Sequence, residues 1–246
     1  MKTKIEIIVS QVVVISILSM NAYSQESKLN SLLLGDAVPS FEARTSQGTI
    51  KFPGDFYGKW KIILSHPADF TPVCATEMLS FALAYDEFKA LNCELIGLSV
   101  DSYSSHLQWI QSLESITYKG QSGIKIRFPI ISDQNMVIAQ QLGMIHPNAV
   151  STRTIRAVII VDTEDRVSAL LYYPEKTGRN VDEIKRLLIA LQVSDRYAVE
   201  TPSEWQPGDD VILGSPQSEK ELKKHEKSEE KGNINCLDWY LCYRKL

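Results

Sequence analysis

The sequence lacks the features that mark several large classes of protein. Its 246 residues carry a net charge of −4, so no cationic surplus favours nucleic acid or an anionic membrane surface. It has neither a glycine-rich phosphate loop of the common patterns nor a Cys-x-x-Cys pair, the usual motif of general thiol–disulfide oxidoreductases. With 44% hydrophobic and 23% charged residues, the chain can bury a sizeable core as one domain plus an appendage. Small-molecule chemistry is the expected class of function.

Residues 1–24 have the order of a signal peptide. Two lysines precede an apolar stretch from Ile7 to Met20, which is interrupted by polar residues and followed by small ones. We expect cleavage near Ser24 and Gln25, export to the periplasm or the medium, and no stable membrane insertion of the mature chain. An uncleaved segment, leaving the protein membrane-anchored or cytoplasmic, is the alternative, although the apolar run falls short of the ~20 residues that span a bilayer.

Strand and helix patterns alternate from about residue 30 onward. The predicted strands are Asp36–Phe41 and Gly48–Phe52 as a hairpin, then Lys61–Leu64, Cys93–Val100, Phe128–Asp133, Ile155–Val161 and Val167–Tyr173. Helices are predicted after Cys74, after a cap at Ser102 or Ser104, from Met136 to Leu142, and from Asn180 or Val181 to Val193. The connection between Val161 and Val167 is too short for a parallel crossover. The pattern therefore predicts an α/β domain with a thioredoxin-like unit over residues 30–193 and a C-terminal extension over 194–246. An all-parallel doubly wound sheet is the alternative.

The stretch from Ser65 to Glu77 places Cys74 at a strand-to-helix turn. There, unpaired N–H groups and the helix dipole stabilise an anion, and such sites lower a thiol pKa from about 8.5 to roughly 3.5–7.5. Pro67 stiffens the loop, and Thr71 offers a hydroxyl that can donate to the sulfur or to an oxygen bound beside it. From these residues alone, a reactive thiol and a buried structural cysteine both remain open.

The wider motif favours a reactive thiol over a buried structural cysteine at Cys74. Pro67-x-x-x-Thr71-x-x-Cys74, within His-Pro-x-Asp-Phe-Thr-Pro-Val-Cys-x-Thr-Glu, resembles the active-site signature of the peroxiredoxins, especially the one-cysteine subfamily and its archaeal relatives. The resemblance covers roughly residues 30–246 and implies a thioredoxin-like fold. It also implies a thiol peroxidase that reduces hydrogen peroxide and organic hydroperoxides through a sulfenic acid on Cys74, in antioxidant defence, with no cofactor or metal. A general thiol–disulfide oxidoreductase and a thiol-bearing chaperone or scaffold are the alternatives.

Further polar residues match positions of the same family. Arg156 begins a strongly apolar strand, and alone it would be an ordinary surface cation. The resemblance places it beside the reactive sulfur, where it would favour the thiolate and bind the peroxide oxygens with Thr71, while Pro67 shields the pocket. Three supporting residues are implied: Glu77 to orient Arg156, His66 at the mouth of the pocket, and Arg179 behind the site. Glu77 would also favour the helix N-terminus, and His66 is more often a structural residue than a base.

The remaining cysteines bear on how the enzyme is recycled. Cys93, in an apolar strand, is expected to be inert. Cys236 and Cys242 lie in an aromatic-rich tail after a mixed-charge run, 219–231, that predicts an exposed helix or linker. The tail resembles that of archaeal peroxiredoxins, which implies that Cys242 resolves oxidised Cys74 of a partner chain and then pairs with Cys236. A purely structural tail disulfide and, less favoured, a zinc site are the alternatives.

The resemblance also implies partners. An apolar tail needs a surface to bury against, so a homodimer or a larger assembly of dimers is expected, with an external thiol reductant, either thioredoxin-like or a small thiol. Some one-cysteine peroxiredoxins carry a lipase-like Gly-x-Ser-x-Gly before the active-site strand. Here residues 57–61 are Tyr-Gly-Lys-Trp-Lys, so phospholipase activity is not implied.

Overall fold

The structure is a computed structural model that describes residues 32–145 and 153–246. The predicted signal segment lies outside the described residues. The main domain contains strands β1 Phe41–Thr45, β2 Gly48–Phe52, β3 Trp60–Ser65, β4 Cys93–Ser99, β5 Ile130–Ser132, β6 Arg156–Val161 and β7 Val167–Tyr173. Its helices are α1 Pro72–Leu83, α2 Tyr85–Ala90, α3 Tyr103–Glu114, α4 Val137–Gln141 and α5 Val181–Tyr197. Strands and helices thus alternate in the predicted order.

The seven strands form one mixed sheet in the order β2-β1-β5-β4-β3-β6-β7. Strands β3, β4 and β5 are parallel, whereas β6 pairs antiparallel with both β3 and β7. The short β6–β7 connection forces this antiparallel pairing. The predicted α/β, thioredoxin-like arrangement is therefore confirmed, and the all-parallel alternative is wrong.

The central strand β3 is buried on both faces of the sheet. Ile62 and Leu64 face a core shared with α1, α3 and α5, while Ile63 faces a second core shared with α4 and β2. Each fully buried aliphatic side chain of this kind contributes about 1.5–3 kcal/mol. Burial on both faces explains why the middle of the strand, Ile62–Leu64, is entirely apolar. The same burial fixes the strand end from which the loop to Cys74 starts.

Two predicted elements have a boundary that differs from the structure by four residues or more. The first hairpin strand begins at Phe41 instead of Asp36, since Pro39 has no backbone N–H and Ala37 forms only an isolated bridge with Arg166. The last core helix continues to Tyr197, beyond the end of its apolar stripe at Val193. The predicted domain boundary at 193/194 consequently falls inside α5.

The C-terminal extension has a small sheet and an exposed helix. Strands β8 Val211–Ile212, β9 Asn235–Asp238 and β10 Leu241–Arg244 pair in the order β8-β10-β9, and α6 spans Glu219–Glu230. Trp205 and Val211 pack against Ala190 of α5, which joins the extension to the main domain. Helix α6 buries none of its residues, so the predicted exposed helix is confirmed. Within the described residues, no helix has both the length and the apolar character needed to cross a membrane.

Candidate active site

Cys74 is the third residue of α1 and is fully buried. Thr71 precedes the helix as its N-cap in an extended conformation, and Pro72 occupies the first helical position, where no N–H donor is needed. The sulfur therefore lies in the first helical turn, as the sequence predicts. Backbone N–H groups of this turn have no partner within the helix, which favours an anionic sulfur.

Arg156 reaches this sulfur from the neighbouring strand. Ser65 of β3 pairs with Ala157 of β6, so the start of β6 lies beside the strand end that leads to Cys74. The Arg156 side chain is 1% exposed, and its Nη2 lies 3.5 Å from Cys74 Sγ and 2.9 Å from the carbonyl oxygen of Glu175. Its Nε has no hydrogen-bond partner among the described residues. The surface-cation interpretation of Arg156 is wrong, because a guanidinium is held against the cysteine in a buried site.

Glu77 holds two arginines in place. Its carboxylate accepts hydrogen bonds from Arg156 and, in a bidentate pair, from Arg179 Nε at 2.9 Å and Nη2 at 2.9 Å. All three side chains are buried. Two cations and one carboxylate thus leave this group with a net positive charge, and Arg156 carries that charge to within hydrogen-bonding reach of the sulfur.

Arg179 also ties the ends of the two strands together. Its Nη1 donates to the carbonyl oxygens of Ser65 at 3.0 Å and Ala157 at 2.8 Å. Burial lowers the pKa of Arg179 and Glu77 opposes that shift, yet a guanidinium remains charged at neutral pH. Arg179 therefore lies behind Arg156, where the sequence expectation placed it, and fixes both the carboxylate and the backbone around the sulfur.

Thr71 and Pro67 border the same site. The Thr71 hydroxyl donates to the carbonyl oxygen of Ala68 at 2.9 Å, which differs from the expected donation to the sulfur. A hydroxyl has one proton, and a carbonyl three residues earlier is within its reach in a tight turn. The Thr71 oxygen keeps its lone pairs for another donor. Pro67 is buried in the loop between β3 and α1.

His66 does not lie at an open pocket mouth. Its side chain is fully buried, its ring centroid is 5.1 Å from that of Trp109, and its Nε2 is 3.0 Å from Asp69 Oδ1. Burial lowers the pKa of His66 because it disfavours the imidazolium, although Asp69 acts in the opposite direction. The expected position at the mouth is therefore wrong, since the residue is anchored inside by a hydrogen bond.

Sequence reasoning did not single out Asp69 and His106. Asp69 Oδ2 lies 2.8 Å from His106 Nδ1 and accepts a hydrogen bond from Ser105 Oγ at 2.8 Å. Burial alone would raise the pKa of Asp69, but hydrogen bonds from His106 and His66 hold it well below its ordinary value. The three-residue spacing of His66 and Asp69 is a local feature from which their hydrogen bond could have been expected. His106 is 37 residues away from Asp69, and only the fold brings it close.

The other three cysteines lie in other elements, namely β4, β9 and β10. Cys93 is buried in β4, and burial raises its pKa strongly, which agrees with the expectation of an inert thiol. Cys236 and Cys242 form a disulfide between β9 and β10, while Cys74 and Cys93 are free thiols. A disulfide uses both tail sulfurs, so the tail in this form is not a zinc site.

Comparison with known proteins identifies the family. The AhpC/TSA family model matches residues 34–170, and the model of the C-terminal domain of 1-Cys peroxiredoxin matches residues 190–229. A peroxiredoxin of Methanosarcina mazei is 50% identical over 214 residues, covering 87% of this chain and 97% of that protein. A peroxiredoxin of Archaeoglobus fulgidus is 48% identical, covering 87% and 99%.

Solved structures agree with these matches. A yeast mitochondrial 1-Cys peroxiredoxin, studied for its thiol resolving mechanism, has a TM-score of 0.76 and 36% identity, covering 87% of this chain and all of that one. Peroxiredoxin 6 of Arenicola marina has a TM-score of 0.76 and 30% identity, covering 87% and 98%. With a free cysteine held by an arginine at a helix N-terminus, the chain belongs to the peroxiredoxin family and is a thiol-dependent peroxidase.

Proposed function

We propose that Cys74 is the peroxidatic nucleophile and that Arg156 is the cation that stabilises both the thiolate and the reacting peroxide. The observation that carries this assignment is the 3.5 Å separation between Arg156 Nη2 and Cys74 Sγ in a buried site. The thiolate attacks the terminal oxygen of a hydroperoxide, forming an S–O bond as the O–O bond breaks. The departing oxygen takes up a proton, so the products are the sulfenic acid and an alcohol, or water when the substrate is hydrogen peroxide.

The neighbouring residues contribute by holding charge and geometry fixed. Negative charge moves from sulfur to the departing oxygen, and the fork of Arg156 donors spans both ends of this path. Glu77 prevents the Arg156 guanidinium from rotating away because it accepts a hydrogen bond from it, and Arg179 fixes the Glu77 carboxylate in turn. Thr71 would bind peroxide and Pro67 would keep bulk water from the sulfur. Fixed donors of this kind need no reorganisation during the reaction, which is why they are effective.

Substitution of the two free cysteines tests the assignment. Cys74→Ser protein should consume hydrogen peroxide at the background rate, while Cys93→Ser protein, altered at the other free thiol, should keep wild-type activity. One equivalent of peroxide should add a single oxygen to Cys74, detected by peptide mass mapping. Full peroxide consumption by Cys74→Ser protein would contradict the assignment and favour chemistry at another residue.

We further propose that the tail recycles the enzyme within a homodimer. Cys242 of one subunit attacks the Cys74 sulfenic acid of the other, releasing water and forming an interchain disulfide. Cys236 then displaces Cys74, which leaves the Cys236–Cys242 disulfide and a regenerated thiolate. An external thiol, thioredoxin-like or small, reduces the tail. The close pairing of the two tail cysteines and the free state of Cys74 support this order of exchange.

Trapping the exchange separates this route from a purely structural tail disulfide. Cys236→Ser protein cannot complete the second step, so one equivalent of peroxide should leave an interchain Cys74–Cys242 link on a non-reducing gel. Cys242→Ser protein should show no such link. Only sulfenic or sulfinic Cys74 in both variants would assign resolution to an outside thiol.

We also propose that the mature chain is exported after cleavage near Ser24 and Gln25. The order of two lysines, an apolar stretch and small residues supports this proposal. Intact-mass measurement of protein expressed in its natural host should give a chain that begins at Gln25 in the exported fraction. A full-length chain confined to the membrane or the cytoplasm would contradict export.

A further inference from the structure

Asp69 is the centre of a buried hydrogen-bond cluster within the loop that connects β3 to α1, residues 66–71, here called the active-site loop. One carboxylate oxygen faces His66 Nε2 at 3.0 Å, and the other faces His106 Nδ1 at 2.8 Å and Ser105 Oγ at 2.8 Å. The backbone N–H of Asp69 donates to Asp101 Oδ2 at 2.9 Å. Both histidines are fully buried and Asp69 is nearly so. Burying a carboxylate costs free energy unless its hydrogen-bond partners are all present, so each of these three side chains contributes to keeping Asp69 buried.

The hydrogen bonds assign the protons in this cluster. His106 Nε2 lies 3.2 Å from the carbonyl oxygen of Ile131, so both of its ring nitrogens face acceptors. His66 faces the carboxylate with Nε2 alone, and its buried Nδ1 has no partner among the described residues. His66 is therefore the neutral tautomer with its proton on Nε2.

The cluster fixes the backbone that leads to the reactive cysteine. His66 and Asp69 belong to the active-site loop, whereas Ser105 and His106 belong to α3, so the carboxylate pins the loop to a rigid helix. The next residue, Phe70, has a φ of 55°, a left-handed conformation that the surrounding structure must enforce. Thr71 follows as the N-cap of α1. A shift of Asp69 would therefore be transmitted directly to Thr71.

We propose that Asp69 is a positioning residue for peroxide reduction, and that His66, Ser105 and His106 hold it in place. This inference rests on the proposed role of Cys74. Asp69 itself does not contact peroxide in this proposal. The carboxylate sets the position of the active-site loop, including Pro67 and Thr71, relative to a sulfur that Arg156 and Glu77 stabilise independently. Peroxide reduction therefore needs the loop, whereas simple alkylation of the thiolate does not.

An isosteric Asp69→Asn substitution tests this separation of roles. The amide oxygen can still accept from His106 and Ser105, but the amide N–H2 must then face His66, whose proton has to move to Nδ1. We expect the second-order rate constant for hydrogen peroxide to fall by roughly 10–100-fold, since displacements of about 1 Å have effects of this size. Alkylation of Cys74 by iodoacetamide, which does not need an aligned peroxide, should change by less than about threefold. Nitrogen-15 NMR should show His66 protonated on Nε2 in the wild type and on Nδ1 in the variant.

Asp133→Asn is the matched control. Asp133 is also a buried carboxylate, but its side chain accepts from the backbone of Ala139 at the start of α4 and takes no part in the cluster. This variant should keep peroxide and alkylation rates within about twofold of wild type. Equal peroxide rates for wild type and Asp69→Asn protein would overturn the inference, as would a parallel loss of peroxide and alkylation rates. Peroxide consumption equal in wild type and Cys74→Ser protein would instead refute the proposed function itself.

A second pair of variants keeps the inference testable if Asp69→Asn protein fails to fold. His106→Asn retains an N–H donor near the position of Nδ1, whereas His106→Leu removes it. We expect the asparagine variant to reduce peroxide at least about fivefold faster than the leucine variant, at similar alkylation rates. Equal peroxide rates in these two folded variants would show that the hydrogen bond to Asp69 has no influence on the reaction.

Discussion

At the residue scale, two buried guanidiniums and one buried carboxylate place a net positive charge beside Cys74. Glu77 neutralises one of the two guanidiniums, and the sulfur lies within reach of the other, at 3.5 Å from Arg156 Nη2. In the proposed reaction, this positive charge faces the negative charge that moves from sulfur to the departing oxygen. The charge of Arg156 and the planar geometry of its donors are therefore two separable contributions.

Substitutions of Arg156 separate these two contributions. Arg156→Lys keeps a cation but loses the planar fork, so Cys74 should still be alkylated readily while the peroxide rate falls by about 10²-fold. Arg156→Gln removes the charge, so alkylation and peroxide rates should both fall. Iodoacetamide labelling and stopped-flow peroxide kinetics on both variants provide the measurement. Equal alkylation in the lysine and glutamine variants would contradict a role for the charge.

His66 makes stability depend on pH. Its pKa in the folded chain is lowered from 6.5, first by burial, with smaller contributions from His106 and Arg179 and opposition from Asp69. Below about pH 6.5 the unfolded chain binds a proton that the folded chain refuses, so the free energy of unfolding decreases as pH falls. The lowered pKa of Asp69 acts in the same direction only below its ordinary value of 3.8.

Urea denaturation between pH 7.5 and pH 5 measures this effect. The free energy of unfolding should decrease on acidification, by at most about 1.4 kcal/mol per pH unit for one proton. His66→Gln protein, which has no group titrating at this position, should have a shallower dependence over the same range. Identical slopes for the two proteins would show that another group controls the acid sensitivity.

At the element scale, local patterns predict the strands and helices well, and the side-chain contacts around the site less well. Apolar runs such as 61–64 and 155–161 identify the sheet, and the motif from Pro67 to Cys74 identifies the reactive helix. The buried position of His66 and the hydrogen bond between Asp69 and His106 were not predictable, because they depend on how α3 packs beside the active-site loop. Long-range side-chain pairing has no period in the sequence, so only the assembled fold reveals it.

Gly97 shows how closely two of these elements pack. It lies in β4 beside β5, and an added Cβ would lie 3.1 Å from Ile130 Cγ1 and 3.4 Å from Ile130 Cα. Gly97→Ala should lower the free energy of unfolding by roughly 1–3 kcal/mol, because the neighbouring backbone cannot move easily. Gly54→Ala is the control, since nothing lies within 4 Å of its added Cβ. Calorimetry that gives both variants the same stability would contradict this packing argument.

At the scale of the whole molecule, the C-terminal tail exposes an apolar surface that a single chain leaves uncovered. Leu237, Trp239 and Tyr240 are 68%, 58% and 48% exposed; Leu237 lies in β9, and the other two form the turn between the strands that carry Cys236 and Cys242. Members of this family form dimers, and the proposed recycling needs a second subunit at the tail. Burial of these three side chains between subunits would stabilise the assembly. The same contact would bring the tail cysteines toward the partner subunit.

Trp239→Asp tests whether the tail is part of the dimer interface. Loss of a buried interfacial tryptophan costs about 2 kcal/mol or more, so the dissociation constant should rise by roughly 30-fold or more. Sedimentation at several concentrations gives that constant, and the interchain Cys74–Cys242 link trapped in Cys236→Ser protein should decrease in parallel. Tyr57→Asp, at another strongly exposed aromatic residue, is the control and should change neither value. An unchanged dimer with an undiminished interchain link in Trp239→Asp protein would place the interface elsewhere, because a charge cannot replace a buried indole without weakening the contact.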